Sequence, residues 1–258
     1  MSGKDNADLA SMFGVPIEIV PFIPDLLADL WALGVPPEVV VELLRPMNMP
    51  PRSTRVLDLG CGKGAVSLTV ARELGFTVDG VDFFPPFIEE AGNRAKDMGL
   101  SESCRFSEGD IREVVKKGGE YDVAMLIWVG GALGDPGKSV GRLRHMVRPG
   151  GYMVYAEGYL KDGIRAKISH GGRLHHKKIL RRLAAHGDIV VREAVVPDDQ
   201  TRSLYTDYLD SLRNGARKIT HEHPEHRRSL EDHIISQEQM CRTLESSVVP
   251  AVWLLRKN

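Results

Sequence analysis

The chain has 258 residues, 42% of them hydrophobic and 27% charged, with a formal net charge of -1. That length accommodates one large α/β domain or two small ones. The near-neutral balance offers no global field favouring nucleic acid or a membrane surface as partner.

In chain order, the opening "MSGKDNADLASMFG" lacks the charged-then-apolar layout of a signal peptide, and no apolar run is long enough to span a bilayer. Two amphipathic helices are expected next, over "IPDLLADLWALG" and "PPEVVVELLRP", with Gly34 and Pro46 as stops. Residues 1–52 read as an N-terminal helical cap, and "MPPRSTR" as its linker. From residue 55 strands and helices alternate: "RVLDLG", "TVDGVD", "CRFSEGD", "YDVAMLIWV" and "GYMVYAEGY" as strands, with helices over "GAVSLTVARELG", "PPFIEEAGNRAKDMG" and "SVGRLRHMV". A turn is expected at "RPGG", residues 148–151. "LHHKKILRRLAAHG" predicts a further helix, "DIVVREAVV" a sixth strand and "AVWLLRK" a seventh. The alternation predicts a doubly wound, mostly parallel sheet. Residues 198–247 are polar, helical in pattern and interrupted near Pro224, too long for a hairpin loop and read as an insertion or lid before the last strand. Cys61, Cys104 and Cys241 are odd in number and widely spaced. That argues against a disulfide framework or a cysteine zinc site and for a reduced, cytoplasmic protein.

The turn after the first strand, "DLGCGKG", carries the chemistry. Glycines there let a ligand approach the backbone, and Gly60, Gly62 and Ala65 loosely meet the dinucleotide pattern. Asp58 tips the balance, because a carboxylate beside a pyrophosphate is unfavourable, whereas a ligand with a cationic end gains from one. S-adenosylmethionine carries an ammonium and a sulfonium and no phosphate. Asp58, Gly60, Gly62 and Gly64 register with D-x-G-x-G-x-G, and Asp82 follows 24 residues after Asp58 at the end of the second strand. Asp110 ends the third strand, beside Ile111; as the residue before "IREVVKK" it also reads as a simple helix cap.

Over roughly residues 53–160 the chain resembles the class I S-adenosylmethionine-dependent methyltransferases. The resemblance implies a Rossmann-like, seven-stranded sheet with the last strand antiparallel between the fifth and sixth. It also implies S-adenosyl-L-methionine as cofactor, with S-adenosyl-L-homocysteine as product. Asp58 would hold the methionine end, Gly60 and Gly62 the close backbone approach, Asp82 the ribose, and Asp110 with Ile111 the adenine. Cys61, Phe83 and Ile127 complete the expected binding set. Lys63 departs from the small or polar residue common in the family and is read as solvent-facing.

The methyl acceptor is less legible. "LIWVGGALGDP" lacks the N/D-P-P-Y/F stretch that family members acting on adenine N6 or glutamine amides carry. Residues 161–182 hold eight Lys or Arg and one acid, Asp162, which suits an anionic small molecule or equally a solvated helix face balanced by Asp198, Asp199, Asp207 and Asp210. Glu157, Tyr159 and His170 are the acid–base candidates, and Tyr205 and Tyr208 share one helix face. In "HEHPEH", His221, His223 and His226 lack a spaced carboxylate or further ligand, so no metal site is expected. The expected activity is methyl transfer to an O, N or C atom of a small molecule. The alternatives are an RNA or protein methyltransferase using the basic stretch, a non-catalytic cofactor-binding protein, and an NAD(P)-dependent oxidoreductase.

Overall fold

A strand that is apolar on both faces needs helices over both, and "VLDL", "VAMLI" and "AVWLL" are of that kind. A computed structural model describes residues 3–164 and 173–258. Its strands are β1 (Arg55–Leu59), β2 (Thr77–Asp82), β3 (Cys104–Glu108), β4 (Tyr121–Ile127), β5 (Val147–Leu160), β6 (Ile189–Val195) and β7 (Val248–Arg256). The helices are α1 (Gly3–Phe13), α2 (Ile23–Leu26), α3 (Pro37–Leu44), α4 (Ala65–Leu74), α5 (Pro85–Asp97), α6 (Ile111–Lys117), α7 (Pro136–Arg144), α8 (His176–Leu183), α9 (Asp198–Glu222) and α10 (Arg227–Ser247).

The seven strands form one sheet in the order β3-β2-β1-β4-β5-β7-β6. β7 runs antiparallel to β5 and β6, and the remaining pairs are parallel. This is the Rossmann-like arrangement the resemblance implied. Helices α6, α7 and α8 cover one face, where Ile111, Val140, Leu143, Ile179 and Leu183 pack with Leu57, Met153, Tyr155 and Trp253. Helices α3, α4 and α5 pack on the other. Burial of this apolar surface, worth roughly 25 cal/mol per Å², drives the assembly. The "RPGG" segment lies inside β5 rather than before it. Tyr121 pairs with Val147 and Val123 with Tyr152, so the intervening residues loop out as a bulge.

The chain divides into two compact units. One holds the described residues of Ala32–Pro197 with Ser247–Asn258; the other holds those up to Trp31 with Asp198–Ser246. The division falls after Trp31 rather than at residue 52. Val39, Val40, Val41, Leu43 and Leu44 of α3 are all buried, and α3 packs on α4, so it belongs with the sheet. The N-terminal segment and the insertion therefore share one helical unit. Within it α2 packs on α9 because Gly215 lets the backbones touch: a Cβ there would stand 2.5 Å from the Asp25 carbonyl oxygen. Ser211 Oγ donates to the Leu26 carbonyl at 3.0 Å, and Tyr208 donates to Gln237 at 3.0 Å, so Tyr208 docks helices together. Helix α2 stops at Leu26, short of the expected Gly34, because Leu27 leaves the helical backbone region. Helix α1 is additional to the elements expected, and its Leu9 is fully buried.

Candidate functional site

The sheet order reverses direction between β1 and β4, which opens a crevice at the carboxyl ends of those strands, the usual ligand position in doubly wound sheets. Everything in the turn "DLGCGKG" is positioned by that end of β1. Asp58, the fourth residue of β1, is 2% exposed and accepts from Ser67 Oγ on α4 at 2.6 Å. Burial raises its carboxyl to about 6; the Ser67 hydrogen bond pulls it down and the nearby Asp82 charge pushes it up.

Gly60, Gly62 and Gly64 have φ of 76°, 53° and 77°, a region that costs other residues roughly 1–2 kcal/mol. Gly60 is also close-packed: a Cβ there would lie 2.6 Å from Val129 Cγ2, just past β4. Four N–H groups of this turn are consumed within the protein. Gly60 and Cys61 donate to the Val81 carbonyl at 2.8 and 3.1 Å, and Gly64 donates to the Cys61 carbonyl at 2.9 Å. Gly62 donates to Asp82 Oδ2 at 2.9 Å. Asp82 Oδ1 meanwhile accepts from Phe84 N–H at 3.0 Å, so this one carboxylate ties the β1 turn to the turn after β2. Its burial raises its carboxyl, opposed by the backbone donors of Phe84, Gly62 and Phe83. Cys61 is buried in the turn, and that burial pushes its thiol well above the usual range, leaving it unreactive.

Lys63 corrects its expectation. It is 1% exposed, and its Nζ pairs with Glu90 Oε2 on α5 at 2.8 Å, with the Phe87 ring 5.6 Å away. No local signal marks this, because Glu90 lies 27 residues on. Asp110 sits at the start of α6 in the capping position, accepting from Arg112 N–H at 2.8 Å while Arg112 Nε reaches both its oxygens at 2.9 Å. The Arg112 side chain holds this carboxyl below its usual range. Ile111 beside it is buried, and Phe83 and Ile127 are half-buried at the ends of β2 and β4.

Beyond β4 the backbone is strained. Trp128 has φ of 58°, an outlier for a bulky residue. The segment before α3 lies over this edge. A Cβ on Gly34 would stand 2.9 Å from Trp128 Cβ, and one on Gly62 would stand 3.2 Å from Leu33 Cδ1. On β5, Glu157 accepts from Gly158 N–H at 3.1 Å and from Arg173 Nη1 at 3.4 Å. Tyr159 is not brought to the same point. Its ring packs 4.7 Å from His176 and 6.2 Å from Trp253, and burial with the Glu193 and Asp162 charges raises its hydroxyl. His170 lies outside the described residues. In the other unit, His223 and His226 pack at steep angles against the Phe22 ring, with centroids 4.9 and 5.3 Å from it.

The sequence therefore located the carboxylates and glycines that meet at β1 and β2. It missed Ser67, which sits nine residues after Asp58 and which a buried carboxylate requires as a donor. It also missed the pairing of Arg173, which stood as one cation among eight.

Comparison with known proteins places this geometry. A family model described as "Methyltransferase domain" matches residues 51–226. The uncharacterized protein YjhP of Escherichia coli is 34% identical over 128 residues, covering 48% of this chain and 50% of that protein. A ubiquinone biosynthesis O-methyltransferase of Caulobacter sp. is 34% identical over 102 residues, 40% of each. The match thus spans half or less of these curated relatives. A solved structure, the S-adenosylmethionine-dependent methyltransferase of Geobacter sulfurreducens in complex with S-adenosyl-L-homocysteine, superposes with a TM-score of 0.80 at 21% identity, over 92% of this chain and 98% of that one.

Proposed function

Since the chain belongs to the class I S-adenosylmethionine-dependent methyltransferase family, we propose that it transfers the methyl group of S-adenosyl-L-methionine to an O, N or C atom of a small molecule. The observation that carries this reading is the state of the glycine turn. The N–H groups of Gly60, Cys61, Gly62 and Gly64 are all engaged internally, and Asp58 and Asp82 set two carboxylates beside the turn, an unfavourable neighbourhood for a pyrophosphate. Such a turn fits a ligand with a cationic end and ribose hydroxyls, which opposes the NAD(P) alternative.

When bound, the cofactor supplies a methyl group made electrophilic by its sulfonium. Asp58 and the approach at Gly60 and Gly62 would hold the amino acid end. Asp82 keeps lone pairs for hydroxyl donors, and Phe83, Asp110, Ile111 and Ile127 would flank the nucleoside. In-line displacement needs alignment and exclusion of water, and Leu33, beside Gly62, with Gly34 and Trp128, which pack together, would supply both. An acceptor that must lose a proton also needs a base. Of the three candidates, Glu157 at the carboxyl end of β5 is the best placed. Tyr159, packed against His176, is the weaker one, and His170 stands on the sequence alone. We further propose a cytoplasmic setting, on three free, buried cysteines; no helix among the described residues is long and apolar enough to cross a membrane.

Calorimetric titration with S-adenosyl-L-methionine, S-adenosyl-L-homocysteine and NADH tests the reading. The two sulfur ligands should bind and NADH should not. NADH binding alone would overturn it.

A further inference from the structure

Residues 161–182 carry a surplus of positive charge, yet one of its cations is unlike an ordinary surface group. The Arg173 side chain is only 14% exposed, and its Nε is shut from water with no hydrogen-bond partner among the described residues. A guanidinium N–H buried without an acceptor is destabilising and needs a reason to persist, which a bound oxyanion would supply. Its ion pair with Glu157 uses Nη1 at 3.4 Å, a long contact that does not engage Nε.

The surroundings give that group a use. Gly158 lies at the carboxyl end of β5, where a Cβ would collide with Val248 and would stand 3.4 Å from both Arg173 Nη1 and Trp128 Cη2. The guanidinium and the indole thus converge over one glycine. Trp128 holds its strained backbone at the end of β4, bonded through its N–H to the Ala156 carbonyl at 3.3 Å. The carboxylates Asp58 and Asp82 occupy the β1–β2 side of the crevice, so the β4–β5 side is left for the second reactant. An apolar ring beside a forked, under-bonded cation recognises a planar apolar body bearing two coplanar or tetrahedral oxygens.

We propose that Arg173, backed by Trp128, is the specificity residue for an acidic methyl acceptor, binding its carboxylate or phosphate oxygens through its guanidinium. This rests on the methyltransferase reading above. Glu157 competes for the same fork and sets how tightly the acceptor's anion is held.

The test uses the full chain saturated with S-adenosyl-L-homocysteine and titrated with benzoate, phenyl phosphate and the neutral isostere benzamide. The wild type should bind the better oxyanion roughly tenfold or more tightly than benzamide, and the order of the two anions names the class. Arg173→Gln should erase that preference while binding the cofactor product normally, and Glu157→Gln should strengthen anion binding several-fold. Should Arg173→Gln not fold, Arg173→Lys keeps charge without the fork and should cut the preference at least roughly threefold. Equal binding of benzoate, phenyl phosphate and benzamide, no anion binding to the loaded wild type, or a preference that survives at position 173 would each overturn the subsite. Failure of the wild type to bind S-adenosyl-L-homocysteine would instead remove the methyltransferase reading beneath it.

Discussion

The two sides of the crevice are built on different principles. On the β1–β2 side, backbone and side chain specify each other. Three positive-φ glycines place N–H groups that Val81, Cys61 and Asp82 accept, and Asp82 ties two loops with one carboxylate. On the β4–β5 side, position comes from packing and strain: Trp128 in the left-handed region, Gly158 under Val248, and Arg173 with an unmatched donor. On the proposed reading, a cofactor common to a whole family would be held by features that tolerate little change. An acceptor that differs between members would be met by side chains that can be exchanged without disturbing the sheet.

The sharpest way to break that contrast is at Gly60. Gly60→Ala imposes a φ of 76° on an L-residue and places a Cβ 2.6 Å from Val129 Cγ2. Together these should cost about 2–5 kcal/mol of stability and abolish calorimetric binding of S-adenosyl-L-homocysteine. Adding Val129→Ala should return the packing part of the loss but not the backbone part. Full recovery of binding in the double variant would show that the turn is held by sterics alone, as the opposite side is.

A smaller effect, and one with a pH signature, is expected at Asp58. Its carboxyl is raised from 3.8 to about 6 by burial, so the folded state binds the proton more tightly than the unfolded chain. Stability of the ligand-free protein should fall as pH rises from about 4 to about 6, by at most about 3 kcal/mol. Affinity for S-adenosyl-L-homocysteine, whose ammonium needs the ionised form, should rise over the same interval. Asp58→Asn should flatten both curves, raise the melting temperature above pH 6, and weaken binding roughly tenfold at neutral pH. Unchanged affinity would move the cationic end of the ligand away from Asp58.

The same contrast explains what was legible beforehand. Strands apolar on both faces and helices bounded by Pro or Gly follow from local chemistry, and so the sheet and most of its helices could be read residue by residue. The glycines and acids of the β1 turn could be read because their spacing is itself the structure. Lys63 could not, since its burial depends on Glu90 across the space between α4 and α5. Neither could Trp128, as nothing in a tryptophan announces a left-handed backbone. Arg173 was hidden by its neighbours, because a run of cations reads as a solvated face until one is found under cover.

Asp110 gives the smallest effect and separates two roles that its sequence position left open. In the structure it caps α6 and is gripped by Arg112, which alone would justify an acid there. Asp110→Ser keeps a capping oxygen of nearly equal quality, so stability should change by less than about 0.5 kcal/mol. Its hydroxyl is too short to reach outward as well. If the carboxylate also accepts from the adenine amino group, S-adenosyl-L-homocysteine should bind several-fold more weakly to this variant, while sinefungin, which bears the same adenine, should lose the same factor. Equal affinities for wild type and variant would confine Asp110 to its helix. The β3 end would then belong with the packed, exchangeable side of the molecule rather than with the specified one.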